Sequence, residues 1–120
     1  MLVEDDTDIR DLLSGLLQYR GYGVLCASDG EEALAILRAA ETPPALILLD
    51  LMMPGMDGYA FRAAQRKIPE VRDVPLVVTS ALPNPRIAEL EPVAVVMKPL
   101  ELDDLLPIIE RYCQPAPART

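Results

Sequence analysis

The sequence predicts an open α/β fold, a parallel sheet with helices packed on both faces. Three observations carry that expectation. Short apolar runs alternate with stretches of helical periodicity along the chain. The runs LILL (Leu46–Leu49) and PLVV (Pro75–Val78) are continuously apolar, as strands covered on both faces are, rather than alternating. Carboxylates, hydroxyls and a lysine follow the runs directly, and in such sheets the carboxyl ends of the strands border one crevice.

Met1–Val3 is a short stub of strand ending in the acidic run Glu4-Asp5-Asp6-Thr7-Asp8. Ile9, Leu12, Leu13, Leu16 and Leu17 then recur at helical spacing, and Gly21 and Gly23 close that helix. Asp6 and Asp8 suit the positive end of its dipole. Val24–Ala27 is the second strand. Ser28 stands at capping-box spacing before Glu31, ahead of a helix whose inner face is Ala33, Leu34, Leu37 and Ala40. Pro43 and Pro44 break that helix, and Ala45–Leu49 is the third strand, running into Asp50. Gly58–Lys67 reads as a helix burying Phe61, Ala64 and Ile68; Pro75–Thr79 and Val93–Met97 are the remaining strands. Between them, Asn84 is placed to cap a short helix over 86–91 with Pro85 at its first position. Glu101–Tyr112 is the final helix, with Leu102, Leu105, Leu106, Ile109 and Tyr112 inward and Pro107 expected to kink it or delay its regular part. Residues 1–113 make one domain, and 114–120 read as a Pro/Ala-rich tail or the start of a linker.

The totals narrow the function. A chain of 120 residues with 51% hydrophobic content holds one domain with a true core. No apolar run approaches the ~20 residues of a membrane span, and the start lacks a signal-peptide pattern. A formal charge of -8 disfavours nucleic acid or an anionic membrane as a direct partner of this domain. Cys26 and Cys113 read as reduced thiols of a cytoplasmic protein. Histidine is absent, which excludes a Ser-His-Asp or Cys-His site, a histidine-held metal and a phosphohistidine within the chain.

The strand ends then carry the chemistry. Glu4 and Asp5 follow the first, Asp50 the third, Thr79 and Ser80 the fourth and Lys98 the fifth. Gathered carboxylates repel one another, and a hard divalent cation relieves that cost. Few ligands, all oxygen, suit Mg²⁺, which keeps several waters and favours carboxylates plus phosphate oxygens. Lysine offers a mobile positive charge to a phosphoryl group, and a hydroxyl offers a neutral donor. These residue types predict a cleft that receives a phosphoryl group on or beside a carboxylate.

Four segments in order, LVEDD (Leu2–Asp6), DLMMPGMDG (Asp50–Gly58), PLVVTSA (Pro75–Ala81) and MKPL (Met97–Leu100), make the chain resemble the receiver domain of two-component response regulators over essentially its whole length. The resemblance implies a flavodoxin-like, doubly wound five-stranded parallel sheet of order 2-1-3-4-5. It implies that Asp50 is phosphorylated, taking the group from the phosphohistidine of a sensor histidine kinase or histidine phosphotransfer protein. Asp5, Asp50 and the backbone carbonyl of Met52 would ligate Mg²⁺, with Glu4 acting largely through water. Thr79 and Lys98 would meet phosphoryl oxygens, and the small Ser80 would leave the donor room. Pro54 and Gly58 shape the loop after the acceptor, and the Lys98–Pro99 bond matches the family's cis peptide. The output partner or domain is unknown.

Three features depart from the family pattern. The first strand is short; the segment between Thr79 and Lys98 is short and carries Pro83, Pro85 and Pro92, implying a shortened fourth helix; and Val95 stands where receivers usually carry an aromatic. The usual coupling of the threonine to a rotating aromatic is therefore not expected, and the signal is expected to leave by another surface or with little rearrangement. Met52 and Ala81 put apolar atoms beside the cleft, which implies a long-lived phosphoryl group. A Mg²⁺-dependent phosphatase resembling the haloacid dehalogenase family is disfavoured, because that family wants a second Asp where Met52 stands. The alternative is a degenerate receiver acting as a phosphorylation-independent protein-binding scaffold.

Overall fold

The computed structural model describes residues 1–53 and 55–114; Pro54 and the tail from 115 to 120 lie outside the described residues. A five-stranded sheet forms the middle layer: β1 (Leu2–Val3), β2 (Cys26–Ala27), β3 (Ile47–Asp50), β4 (Leu76–Ser80) and β5 (Ala94–Met97), in spatial order β2-β1-β3-β4-β5. Every pairing is parallel. Four α-helices cover the sheet: α1 (Thr7–Tyr19), α2 (Gly30–Ala39), α3 (Gly58–Gln65) and α4 (Leu102–Tyr112). This is the doubly wound order 2-1-3-4-5 expected above. The strand order reverses between β1 and β3, so the crevice of such a sheet opens at their carboxyl ends.

The continuous apolar runs have a direct cause in the layering. Successive strand side chains point to opposite faces. Val3, Ile47, Leu49, Leu76 and Val78 join Leu34, Leu37 and Phe61 in one core cluster. Leu2, Leu48, Val77 and Val96 join Leu13, Leu17, Leu105 and Ile109 in the other. A strand with a core on each side has no solvent face to record.

Several local expectations shift in the structure. Leu12 lies on the outer side of α1, 64% exposed, while Leu13 and Leu17 face the sheet. The α2 cap moves one residue along. Asp29 Oδ1 accepts from the Glu32 N–H at 2.7 Å, and Ser28 Oγ donates to Glu32 Oε2 at 2.8 Å, so Asp29 caps and Ser28 braces Glu32. Asp29 is as good a cap as serine, and its extended backbone leaves Gly30 to begin the helix. Pro107 lies on the exposed side of α4, and the helix runs through it without interruption.

The largest departure involves the fourth helix. Asn84 Oδ1 does accept from the Arg86 N–H at 2.9 Å with Pro85 next, but the segment Pro85–Leu90 is a 3₁₀ helix, ended by Glu91 at φ 50°. It buries only Ile87 and Leu90. Opposite it, α3 buries two polar residues that its amphipathic pattern assigns to solvent. Arg62 Nε donates to the Leu90 carbonyl (3.0 Å) and Nη1 to Gln65 Oε1 (2.9 Å). Gln65 Nε2 donates to the carbonyls of Val71 (2.9 Å) and Val74 (3.3 Å). A short 3₁₀ segment and the turns before β4 leave carbonyls without helical partners, and these two side chains supply the donors.

Candidate functional site

The ends of β1, β3 and β5 deliver the charged groups of the site. β1 ends at Val3, and Glu4 follows it into the interior at 1% exposure, its N–H held by the Ala27 carbonyl at 3.1 Å. Asp5 is exposed on the turn into α1, where Asp6 caps the helix by accepting from the N–H groups of Asp8 (2.9 Å) and Ile9 (3.2 Å). Asp50 is the last residue of β3, opposite Thr79 in β4, and is 4% exposed. Lys98 follows β5, its N–H donating to the Ser80 carbonyl at 2.7 Å, and the Lys98–Pro99 peptide bond is cis.

The side chains converge. Carboxylate oxygens of Glu4, Asp5 and Asp50 all lie within 4.8 Å of one another. Lys98 Nζ reaches between them, 2.9 Å from Glu4 Oε1 and 3.1 Å from Asp50 Oδ2. The Met52 N–H donates to Asp50 Oδ1 at 3.3 Å, which keeps the Met52 backbone beside the carboxylate while its side chain is exposed. An open pocket bounded by Asp5, Asp50, Met52, Ser80, Ala81 and Lys98 leads to this cluster.

The electrostatics follow from burial and crowding. Burial raises the Asp50 pKa from 3.8 to about 7, with the Glu4 hydrogen bond and charge adding to the rise and Lys98 opposing it. Burial also pushes Asp5 upward, but hydrogen bonding to Asp50 and Glu4, its own backbone and the Lys98 charge leave it below the usual carboxylate value. Burial works against the Lys98 ammonium, yet Glu4 and Asp50 hold its pKa above that of an ordinary lysine. The donor set is all oxygen, clustered and facing a solvent-open pocket, which fits a hard divalent cation that keeps part of its water shell.

The structure brings Glu4, Asp5, Asp50 and Lys98 into one cluster, with the Met52 backbone alongside. The two hydroxyls are turned away from it. Thr79 Oγ1 donates to the Leu49 carbonyl at 3.4 Å, and Ser80 Oγ donates to the Leu82 carbonyl at 2.7 Å. Gly58 closes the loop after Asp50: its N–H donates to the Leu51 carbonyl at 3.1 Å, and a Cβ there would stand 3.2 Å from that oxygen. Sequence reasoning missed Arg10, whose Nη1 donates to the Glu4 carbonyl at 2.8 Å. The available signal was its place in the first turn of α1, from which side chains lean back toward the preceding residues.

Fold and site together define a doubly wound α/β domain with a lysine-bridged acidic cleft at the carboxyl ends of its strands. The chain belongs to the response regulator receiver domain family, whose family model matches residues 1–110. It is similar to a probable transcriptional regulator, ycf27, of Porphyridium aerugineum, 41% identical over 93 residues covering 76% of this chain and 37% of that one. A DNA-binding dual master transcriptional regulator, RpaA, of Synechocystis sp. is 37% identical over 82 residues, covering 68% of this chain and 33% of that one. The chain therefore spans about a third of the length of the curated relatives it matches. Among solved structures, the chemotaxis protein CheY4 of Vibrio cholerae superposes with a TM-score of 0.83 at 30% identity, covering 92% of this chain and 94% of that one. The signal receiver domain of a histidine kinase from Syntrophus aciditrophicus gives 0.79 at 28% identity, over 92% and 86%. As a receiver the chain is a two-component signalling domain rather than a conventional enzyme, and among the described residues no helix is long and apolar enough to cross a membrane.

Proposed function

We propose that this receiver is an active phosphoacceptor: Asp50 takes a phosphoryl group from a histidine-phosphorylated partner, a sensor kinase or phosphotransfer protein, with Mg²⁺ bound by Asp5, Asp50, the Met52 carbonyl and, largely through water, Glu4. The observation that carries this reading is Lys98 Nζ suspended between Glu4 and Asp50 at 2.9 and 3.1 Å, beside the exposed Asp5. A scaffold needs no half-buried lysine bridging two buried carboxylates.

In the transfer, an Asp50 oxygen attacks the phosphorus of the partner's phosphohistidine. The new O–P bond forms as the P–N bond breaks, and the imidazole leaves with that electron pair and takes a proton from solvent. Asp5, Asp50 and the Met52 carbonyl would hold the Mg²⁺, which when bound would offset charge on the phosphoryl oxygens and favour the ionised form of the acceptor. Lys98 lowers the same proton affinity from the other side and then pairs with a phosphoryl oxygen. Thr79 would rotate its hydroxyl from the Leu49 carbonyl to another, and that Leu49 bond is long enough, at 3.4 Å, to be given up readily. Ser80, small and already folded back on Leu82, leaves the approach to Asp50 open. The domain catalyses only its own phosphorylation and dephosphorylation. Its charge of -8 disfavours direct contact with nucleic acid, so a transcriptional output like that named for its relatives would need other segments or partners.

Incubation with Mg²⁺ and acetyl phosphate, followed by intact mass, tests the reading. One added phosphoryl group, dependent on Mg²⁺ and absent in Asp50→Ala, is the expected result. No modification favours the scaffold, and continuous turnover of phosphoesters favours an enzyme.

A further inference from the structure

Arg10 has no part in the transfer just described, yet it holds the turn on which that transfer depends. Its Nη1 donates to the Glu4 carbonyl at 2.8 Å, and its backbone N–H donates to the Asp6 carbonyl at 2.9 Å. One residue thus fastens the chain on both sides of Asp5. The Glu4 carbonyl lies just past the last ladder pair of β1, where Val3 opposes Ala27 and Leu49. The rest of Glu4 is already committed: its N–H to Ala27, Oε1 to Lys98, and Oε2, at 3.3 Å, to the Asp6 N–H. Asp5 by contrast is exposed, so little packing fixes its carboxylate, and its place depends on the backbone of the turn as well as on its neighbours Asp50 and Glu4.

We propose that Arg10 is a positioning residue of the acidic pocket, orienting Asp5 and Glu4 toward a divalent cation by gripping the turn that carries them. The proposal rests on the reading of the cleft as a cation site. Arginine suits the task because it reaches back one turn along α1 and presents a rigid, permanently charged fork. Its charge, taken alone, acts the other way, since a guanidinium beside the pocket repels a divalent cation. Positioning and charge therefore predict opposite signs for its removal.

Mn²⁺, which shares the preference of Mg²⁺ for oxygen ligands, can be titrated into the full chain and followed by water-proton relaxation. Arg10→Met keeps the aliphatic stem and removes the donors. The expected result is Mn²⁺ binding about tenfold weaker than wild type, the scale for residues that orient metal ligands. Arg10→Lys, which keeps one donor and the charge, is expected to recover most of that loss. Thermal midpoints in EDTA establish that each variant is folded, and Arg10→Gln, too short to span the turn, replaces Arg10→Met if the latter is not. Unchanged or tighter binding in the Met or Gln variant would overturn the proposal. Asp5→Asn separates the two readings. If it also leaves binding unchanged, or if wild type binds no Mn²⁺, the cation pocket itself fails; if it alone weakens binding, only the role of Arg10 fails.

Discussion

Asp50 is a carboxylate whose neighbours decide its protonation. Its native pKa of about 7 stands above the ordinary 3.8, so between those values the folded domain binds more protons than the unfolded chain. Stability of the metal-free domain should therefore fall as pH rises from about 4 to about 7, by up to about 1.4 kcal/mol per pH unit, and level off above. Asp5, lowered instead, works in the opposite sense and only at acid pH below its ordinary value. Urea denaturation in EDTA should show the slope in wild type and its loss in Asp50→Asn, which should be the more stable protein at pH 7 and above. A second expectation concerns the lifetime of the phosphoryl group. Met52, 71% exposed, and Ala81 flank the pocket with apolar atoms and offer no group to orient an attacking water. We expect slow loss of the label in purified phosphorylated domain, hastened by Met52→Asn; rapid loss in wild type would contradict this. The strand-end residues were legible in sequence because each follows an apolar run. The direction of the Thr79 hydroxyl was not, because it depends on a carbonyl brought in from β3, and the reach of Arg10 was not, because hydrophobic pattern does not record which nearby carbonyl a polar side chain takes.

Among the elements, the pairing of α3 with the 3₁₀ segment is the distinctive feature. Arg62, 7% exposed, ties α3 to the Leu90 carbonyl and braces Gln65 within the same helix. Arg66 adds outer contacts, Nη1 to the Glu89 carbonyl at 3.3 Å and Nη2 to Glu91 at 3.1 Å, and the Arg86 guanidinium lies 4.3 Å from the centre of the Tyr59 ring. Arg62→Met strands buried acceptors and should cost about 2–4 kcal/mol in urea denaturation. Adding Gln65→Leu should cost less than the sum of the single changes, because the two share partners. The 3₁₀ segment thus belongs structurally with α3. Val95, 44% exposed, offers no aromatic to swing toward Thr79. Backbone amide shifts on adding beryllofluoride should spread through the loop after Asp50 and into α3. Large shifts confined to residues 84–98 would overturn that expectation. Periodicity located α3 and a short capped segment over 86–91, but it named only Phe61, Ala64 and Ile68 as buried and gave no sign of Arg62 and Gln65. Hydrophobic pattern records which residues avoid water and is silent about polar groups buried to satisfy stray carbonyls.

The whole molecule couples its fold to its site, since the carboxylates that crowd the cleft come from the ends of two separate strands of one sheet. A cation that relieves their repulsion should stabilise the entire domain, by about 2.7 kcal/mol at a hundred times its dissociation constant. Calorimetry with and without Mg²⁺ should show a higher thermal midpoint with the ion in wild type and little change in Asp5→Asn. By itself the sequence determined the layered α/β class, the approximate place of each element, and the residues at the strand ends. Each of these is written locally, in apolar runs, breaks in periodicity and the polar residue that closes a run. Only the tertiary structure decided that Lys98 bridges Glu4 and Asp50, that Asp50 sits deep enough for its pKa to rise to about 7, and that Arg10 and Arg62 are structural donors. Apart from Arg10, which reaches back only to Glu4, those properties belong to pairs of atoms far apart in the chain, and their distances come into being only when the sheet assembles.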